Sequence, residues 1–230
     1  MKNEPKPSAH SAFRMPRVKV CGLTLAADAH AAIAAGADAL GAVHYTRSPR
    51  SVEPEAMAMI FAELPANIVK VGVVVDLEPA QAAGFVARSQ VHALQLCGSQ
   101  QAAAWAECAT PLLRRIPVDA SGASEIEAWR GIASGFVLDH PKTAGGSGQQ
   151  VDFALAAELA ASAPCLLAGG LSAGNVADAI VAVRPTGVDA SSRLEQLPGR
   201  KNPAAVLAYV RAAHQALLQT TSTDSSDPAS

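Results

Sequence analysis

Eight short apolar runs alternate with longer, alanine-rich stretches through most of this 230-residue chain. Strands are predicted in the apolar runs, at 18–21, 39–43, 68–75, 92–96, 112–116, 135–138, 165–168 and 187–190. Helices are predicted in the stretches that follow them, at 25–35, 53–63, 79–88, 99–109, 123–131, 152–162, 173–183 and 203–217. Apolar strands that alternate with helices in this way are typical of a parallel sheet covered on both faces.

Eight strand–helix units in about 200 residues predict a single (β/α)8 barrel, an α/β fold whose strands all run parallel. A doubly wound open sheet is the alternative, but its first turn is usually glycine-rich, and here that turn reads Cys-Gly-Leu-Thr at 21–24. The barrel is expected over 17–218, as one domain. Disordered tails are expected at 1–16 and 219–230, because both segments are polar and lack apolar periodicity.

The composition excludes several classes of partner. A formal net charge of −2 and an aromatic content of 4% argue against nucleic-acid binding. No apolar run reaches the roughly 20 residues that span a bilayer, and the first 16 residues do not resemble a secretory signal. The four cysteines form no CxxC pair, so free thiols in a reducing cytoplasm are expected. The oligomeric state, monomer or homodimer, stays open.

Reactive groups of a (β/α)8 barrel are expected at the carboxyl ends of its strands and in the loops that follow. Three of those loops carry small residues: Gly145–Gly148 after strand 6, Gly169 and Gly170 after strand 7, and Ser191–Arg193 after strand 8. Backbone N–H groups that glycine leaves accessible can bind an anion, and barrels often hold phosphate after strands 7 and 8. The three loops together predict a site for a phosphorylated small molecule, although each alone is equally typical of a tight turn.

Four charged or nucleophilic residues stand out at the same rim. Cys21 ends strand 1 and is a candidate nucleophile or base, although a single cysteine there is more often a small buried apolar residue. Asp139 ends strand 6 and is a candidate general acid or a loop cap. Arg50 is a candidate carboxylate ligand or a solvated loop residue. Asp189 lies within strand 8, where it needs a hydrogen-bonded partner and is expected to orient the phosphate loop.

A metal site is not predicted. His44, His92 and His140 are expected near one face of the barrel from their positions in the predicted pattern. None of them belongs to an HxH or HExxH pair, which metal-binding histidines commonly form.

Seven segments, in order along the chain, resemble those of the phosphoribosylanthranilate isomerase family of tryptophan biosynthesis. They are VKVCGLT at 18–24, GADALGAVHYTRSPRSV at 36–52, VGVVVD at 71–76, LQLCG at 94–98, LDHPKTAGGSGQQVDF at 138–153, LAGGLSAGNV at 167–176 and VDASSRLEQLPGRKN at 188–202. The resemblance covers about 17–216. It implies a (β/α)8 barrel that needs no cofactor, and an Amadori rearrangement of N-(5-phosphoribosyl)anthranilate to 1-(o-carboxyphenylamino)-1-deoxyribulose 5-phosphate.

The resemblance also implies roles for individual residues. Cys21 would be the general base, Asp139 the general acid, and Arg50 would face the anthranilate carboxylate. The phosphate would lie among Gly146, Ser147, Gly148, Gly169, Gly170 and Ser192. Asp189, Ser191 and Arg193, at the same rim, complete the predicted substrate-binding set.

Two positions depart from the family pattern. Cys97 stands where the family usually has histidine in a Leu-His-Gly segment, and Arg193 stands where it usually has glycine. Arg193 could donate to the phosphate or point to solvent. Two alternative functions therefore stay open: an isomerase that acts on a different phosphosugar, and a non-catalytic barrel that binds a phosphometabolite.

Overall fold

Eight parallel strands close into a barrel in the computed structural model, which describes residues 13–141 and 151–224. The strands are β1 (Val18–Val20), β2 (Ala39–His44), β3 (Val69–Val74), β4 (Ala93–Leu96), β5 (Leu112–Pro117), β6 (Gly135–Asp139), β7 (Cys165–Leu167) and β8 (Gly187–Ala190). Each strand pairs with the next in sequence order, and β1 pairs with β8. The predicted (β/α)8 barrel is confirmed.

Seven α-helices surround the strands in the described part of the chain. They are α1 (Ala26–Ala34), α2 (Pro54–Ile60), α3 (Ala82–Ser89), α4 (Gly122–Ala128), α5 (Phe153–Ser162), α6 (Val176–Val183) and α7 (Pro203–Asp224). Their apolar faces form one large core with the outward side chains of the strands. A second, smaller cluster fills the barrel interior and includes Met15, Leu113 and Leu166. Within the described ranges, every helix is too short or too polar to cross a lipid bilayer.

The predicted helix at 99–109 is wrong. The structure has a single 3-10 turn there, Ala102–Trp105, between β4 and β5. Pro111 disfavours helical backbone at Thr110, and one turn is enough to bury Trp105, which is 1% exposed. The alanine-rich composition favoured a helix, but packing of the tryptophan decides the local structure.

Both predicted ends of the folded part are misplaced. Helix α7 continues to Asp224, because adding residues to an anchored helix costs little once it is nucleated; Leu217 anchors its last buried turn. At the other end, Met15 is buried inside the barrel, next to Gly135 at the amino end of β6. The rest of the predicted tails, 1–12 and 225–230, lies outside the described residues.

The seam between β1 and β8 leaves no room for a side chain at Gly187. A Cβ atom built there would overlap the backbone oxygens of Pro16 and Arg17. We expect Gly187→Ala to lower the free energy of unfolding by about 2 kcal/mol, the usual cost of overpacking. Gly84→Ala is the control, since Gly84 lies in α3 with no atom within 4 Å of its built Cβ. It should raise stability by about 0.5–1 kcal/mol.

Urea unfolding followed by far-UV circular dichroism measures both values. If the two substitutions changed the free energy of unfolding equally, or if Gly187→Ala left it unchanged, the seam would tolerate a methyl group.

Candidate active site

A cavity of about 230 Å³ opens at the carboxyl ends of the strands. Its lining includes Cys21, Asp139, Arg50 and Asp189, together with Gly169, Gly170, Ser191, Ser192 and Arg193. The structure therefore brings nine of the twelve predicted site residues to one cavity. The other three, Gly146, Ser147 and Gly148, lie outside the described residues.

The glycine loop after β7 forms one side of this cavity. Gly169 and Gly170 both have positive φ, +84° and +70°, a conformation that glycine adopts without steric cost. Asn175 fixes the loop after them: its Oδ1 accepts from the N–H of Ser172 at 2.8 Å, and its Nδ2 donates to the carbonyl of Gly170 at 3.0 Å. The loop is thus held in shape by its own side chains, with glycine backbone facing the cavity.

Cys21 lies at the end of β1 with 7% of its surface exposed. Burial raises the pKa of its thiol above the ordinary value of 9.0, and the Asp189 carboxylate adds to this rise. The ammonium groups of Lys19 and Lys201 act in the opposite direction and lower it. The net shift is upward because burial outweighs the two cations, so the thiolate is the minor form at neutral pH and the cations limit how minor it is.

Asp139 ends β6 at the cavity wall, and its environment suits a proton donor. Burial raises the pKa of this carboxyl, with a smaller rise from Asp189, while the Arg115 guanidinium and the N–H of His140 lower it. The N–H of His140 donates to Oδ1 at 2.8 Å, and Nε of Arg115 lies 3.5 Å from Oδ2. The net rise leaves more of the neutral acid at a given pH than for a solvated aspartate.

Arg50 makes an ion pair that the sequence analysis missed. Its Nε and Nη2 donate to the two carboxylate oxygens of Glu195 at 2.8 and 2.7 Å. Lys201 Nζ donates to the same carboxylate at 2.9 Å and to the carbonyl of Ser191 at 3.1 Å. Arg50 therefore faces the cavity with its guanidinium fixed, and its remaining N–H donors are available to a ligand.

Glu195 and Lys201 belong to a small hairpin that was not predicted. Strands β9 (Glu195–Leu197) and β10 (Arg200–Lys201) pair antiparallel after β8. The signal was present, because Pro198-Gly199 is a common turn dipeptide, and Gly199 has a φ of +78°. The carbonyl of Gly199 accepts from the Thr24 hydroxyl at 2.5 Å, so the hairpin ties the loop after β1 to the loop after β8.

Asp189 has the buried partner that its position requires. Its Oδ2 accepts from Nζ of Lys19 at 2.8 Å. Its Oδ1 is buried and has no hydrogen-bond partner among the described residues. This second oxygen belongs to a residue that lines the cavity, so it can accept a hydrogen bond from a bound ligand.

The expectation that three histidines lie near one face of the barrel is wrong for His92. His92 precedes β4, so it lies at the opposite end of the barrel from the cavity. His44 is at the cavity end, where its Nδ1 lies 3.1 Å from the carbonyl of Val52. Among the described residues, no group of three or more histidine, cysteine, aspartate or glutamate side chains is arranged to hold a metal ion.

The comparison with known proteins agrees with this geometry. The family model of N-(5'-phosphoribosyl)anthranilate (PRA) isomerase matches residues 18–212. The chain belongs to this family. An N-(5'-phosphoribosyl)anthranilate isomerase of Azorhizobium caulinodans is 38% identical over 207 residues, which is 85% of this chain and 90% of the relative.

Solved structures of the same family share the fold. Phosphoribosyl anthranilate isomerase from Thermotoga maritima superposes with a TM-score of 0.80 at 31% identity, covering 87% of this chain and all of that one. A second phosphoribosyl anthranilate isomerase, in complex with reduced 1-(o-carboxyphenylamino)-1-deoxyribulose 5-phosphate, has a TM-score of 0.78 at 30% identity, with the same coverage.

Both departures from the family pattern face the cavity. Arg193 lies in a 3-10 turn, Ser192–Leu194, whose negative φ values any L-residue adopts, so the loop does not need glycine there for its backbone. Cys97 accepts from Nε2 of Gln95 at 3.5 Å, and burial raises the pKa of its thiol to about 11. It is therefore protonated at neutral pH.

The Arg50–Glu195 pair predicts a specific dependence of stability on pH. The Glu195 side chain is 4% exposed, and its hydrogen bonds to Arg50 and Lys201 outweigh burial and lower its pKa below the ordinary 4.5. Its contribution is present above the unfolded pKa and is lost as pH falls through the lower folded pKa. We expect Glu195→Gln to cost about 3 kcal/mol at pH 7, because it leaves the cations of Arg50 and Lys201 without their counter-charge.

This difference should shrink steadily below pH 4.5 in urea unfolding of the two proteins. Glu127→Gln is the matched control, since Glu127 pairs with Arg130 in an exposed i,i+3 bridge. It should change nothing measurable at either pH. A Glu195→Gln penalty that does not depend on pH would mean that the carboxylate charge is not what stabilises the site.

Proposed function

We propose that this chain catalyses the Amadori rearrangement of N-(5'-phosphoribosyl)anthranilate to 1-(o-carboxyphenylamino)-1-deoxyribulose 5-phosphate in tryptophan biosynthesis. The observation that carries this proposal is the meeting of Cys21 and Asp139 in one cavity, next to the glycine loop that follows β7 and the serine loop that follows β8. A candidate base, a candidate acid and a place for phosphate are the parts that this reaction requires.

The acid step falls to Asp139. Its neutral carboxyl gives a proton to the ring oxygen of the ribose, while the bond between that oxygen and C1 breaks. The nitrogen lone pair forms a double bond to C1, which leaves an iminium ion. The raised pKa of Asp139 supports this role, because a donor must be protonated when the substrate arrives.

The base step falls to Cys21. Its thiolate takes the proton from C2, and the electron pair of that bond forms a C1–C2 double bond and neutralises the iminium nitrogen. The resulting enolamine becomes the ketone when a proton leaves its hydroxyl and one is added at C1. No cofactor enters this sequence, because the protons only change places within one molecule and the two side chains.

Substrate orientation falls to the remaining residues of the cavity. Gly169, Gly170, Ser191 and Ser192 would surround the phosphate, with Gly146, Ser147 and Gly148 assigned on the sequence alone. Arg193 would add a charged donor at their rim. Arg50, with two of its five N–H donors on Glu195, would use the others for the anthranilate carboxylate. Oδ1 of Asp189 would accept from a ribose hydroxyl.

A phosphosugar isomerase with a different substrate is the second candidate. Arg193 and Cys97 both line the cavity where the family usually has glycine and histidine, and they change its charge and its hydrogen-bonding groups. Either activity would suit the cytoplasm, since the Cys21 thiol must remain reduced in order to act as a base.

Substitution of the acid and the base tests the assigned roles. We expect Cys21→Ser and Asp139→Asn each to lower kcat about a hundredfold or more near neutral pH, in a turnover assay with phosphoribosylanthranilate. Cys108→Ser and Asp119→Asn are controls of the same chemistry, because neither residue lines the cavity. Both should keep the wild-type rate.

The possible outcomes separate the functions. Active wild type with unaffected Cys21→Ser and Asp139→Asn would refute the roles of these two residues. Wild type that is inert toward phosphoribosylanthranilate but stabilised against heat by other sugar phosphates would favour the second candidate. Ligand binding by calorimetry without turnover of any candidate would favour a non-catalytic barrel.

The pH dependence tests Asp139 separately. The ratio of wild-type to Asp139→Asn kcat/KM should be constant at low pH and fall about tenfold per unit above the raised pKa of Asp139, where the acid has lost its proton. Ionisation of the substrate phosphate and of Cys21 cancels in this ratio. A ratio that stays flat up to pH 9 would show that Asp139 does not act as an acid.

A further inference from the structure

One buried cation at the cavity floor has no role in the mechanism above. Lys19 is on β1, and its side chain is 0% exposed. It donates to Oδ2 of Asp189 at 2.8 Å and to Oε1 of Gln95 at 3.0 Å. An ammonium group carries three donors, so one N–H of Lys19 is left over after these two hydrogen bonds.

The strand geometry explains why the lysine reaches the thiol. Lys19 and Cys21 are two residues apart along β1, so their side chains leave the strand on the same face. Gly41 on the neighbouring strand lies beneath both: a Cβ built there would be 2.7 Å from Sγ of Cys21 and 3.3 Å from Nζ of Lys19. Sγ of Cys21 and Nζ of Lys19 therefore both lie at the space that the missing side chain of Gly41 leaves.

We propose that Lys19 is a positioning residue of the isomerase, whose buried ammonium holds the Cys21 sulfur toward the cavity and stabilises the thiolate that takes the substrate proton. This proposal rests on the proposed function, since it concerns the base of that reaction. It differs from a purely structural ion pair, because it assigns the third donor of Lys19 to the thiol.

The charges around Cys21 determine what each substitution should do. Lys19 and Lys201 favour the thiolate, and Asp189 opposes it. Arg50 is also close enough to respond to the charge of Cys21, and so is the thiol of Cys97. Of these, Lys19 and Asp189 are paired with each other, so removing one or the other should move the ionisation of Cys21 in opposite directions.

Alkylation of Cys21 by iodoacetamide measures this ionisation without any substrate, because only the thiolate reacts. The full chain is labelled over a range of pH, and peptide mass spectrometry follows each cysteine. We expect Lys19→Met to slow labelling of Cys21 about tenfold or more at pH 8 and to shift its midpoint to higher pH. Asp189→Asn should shift the midpoint to lower pH.

Folding is checked in the same spectra by Cys165, which is 1% exposed and does not line the cavity. It should stay unlabelled in any folded variant. If Lys19→Met fails this check, the double variant Lys19→Met/Asp189→Asn replaces it, because it removes both buried charges and leaves neither unpaired. It should also shift the Cys21 midpoint upward.

Unchanged labelling of Cys21 in a folded Lys19→Met or double variant would overturn the proposal, and so would an upward shift in Asp189→Asn. Turnover assays add a second readout: Lys19→Met should lower kcat with little change in KM, because Lys19 acts through Cys21 and not on the substrate. Labelling that behaves as expected in a protein without isomerase activity would refute the proposed function but support the coupling of Lys19 to Cys21.

Discussion

The ion pair between Lys19 and Asp189 joins the two strands that close the barrel. The register of β1 and β8 places these residues opposite each other, so closure of the barrel brings the two charges together. Burying an ammonium group without a counter-charge is costly, which penalises arrangements that leave the two strands apart. Because Cys21 follows on the same face of β1, the closure of the fold and the formation of the candidate base occur at one place.

The glycines around this seam make the close contacts possible. Gly41 leaves space for the sulfur of Cys21, and a Cβ on Gly22 would lie 2.6 Å from Oγ of Ser191 and 2.8 Å from Cδ of Arg50. Gly22 also has a φ of +75°, which turns the chain directly after Cys21. The loops after β1, β2 and β8 therefore touch at a point without side-chain bulk, and the charged groups of the site surround that point.

Local patterns in the sequence predicted the barrel and the residues at its rim, but not the ion pairs between residues that are distant in sequence. The eight apolar runs correspond to the eight strands, and 187–190 matches β8 at both ends. Cys21, Asp139 and Arg50 could be picked out as candidates because each lies at or after the carboxyl end of a predicted strand. Lys19 and Glu195 were missed because their partners are far away in sequence: Lys19 and Asp189 are 170 positions apart, and Arg50 and Glu195 are 145 apart. A lysine inside an apolar strand shows no local sign of the aspartate that makes its burial possible.

Asp189 acts in the same direction on the two ionisable groups that are proposed to take different roles. Its negative charge raises the pKa of both Asp139 and Cys21, which favours the protonated form of each. This suits an acid and hinders a base. At both groups burial is the largest cause of the rise, and a neighbouring cation opposes it: the ammonium of Lys19 at Cys21, and the guanidinium of Arg115, 3.5 Å from the carboxylate, at Asp139. The proposed division of roles therefore depends on Lys19, the strongest of the cations that lower the pKa of Cys21, since the aspartate acts on both groups in the same direction.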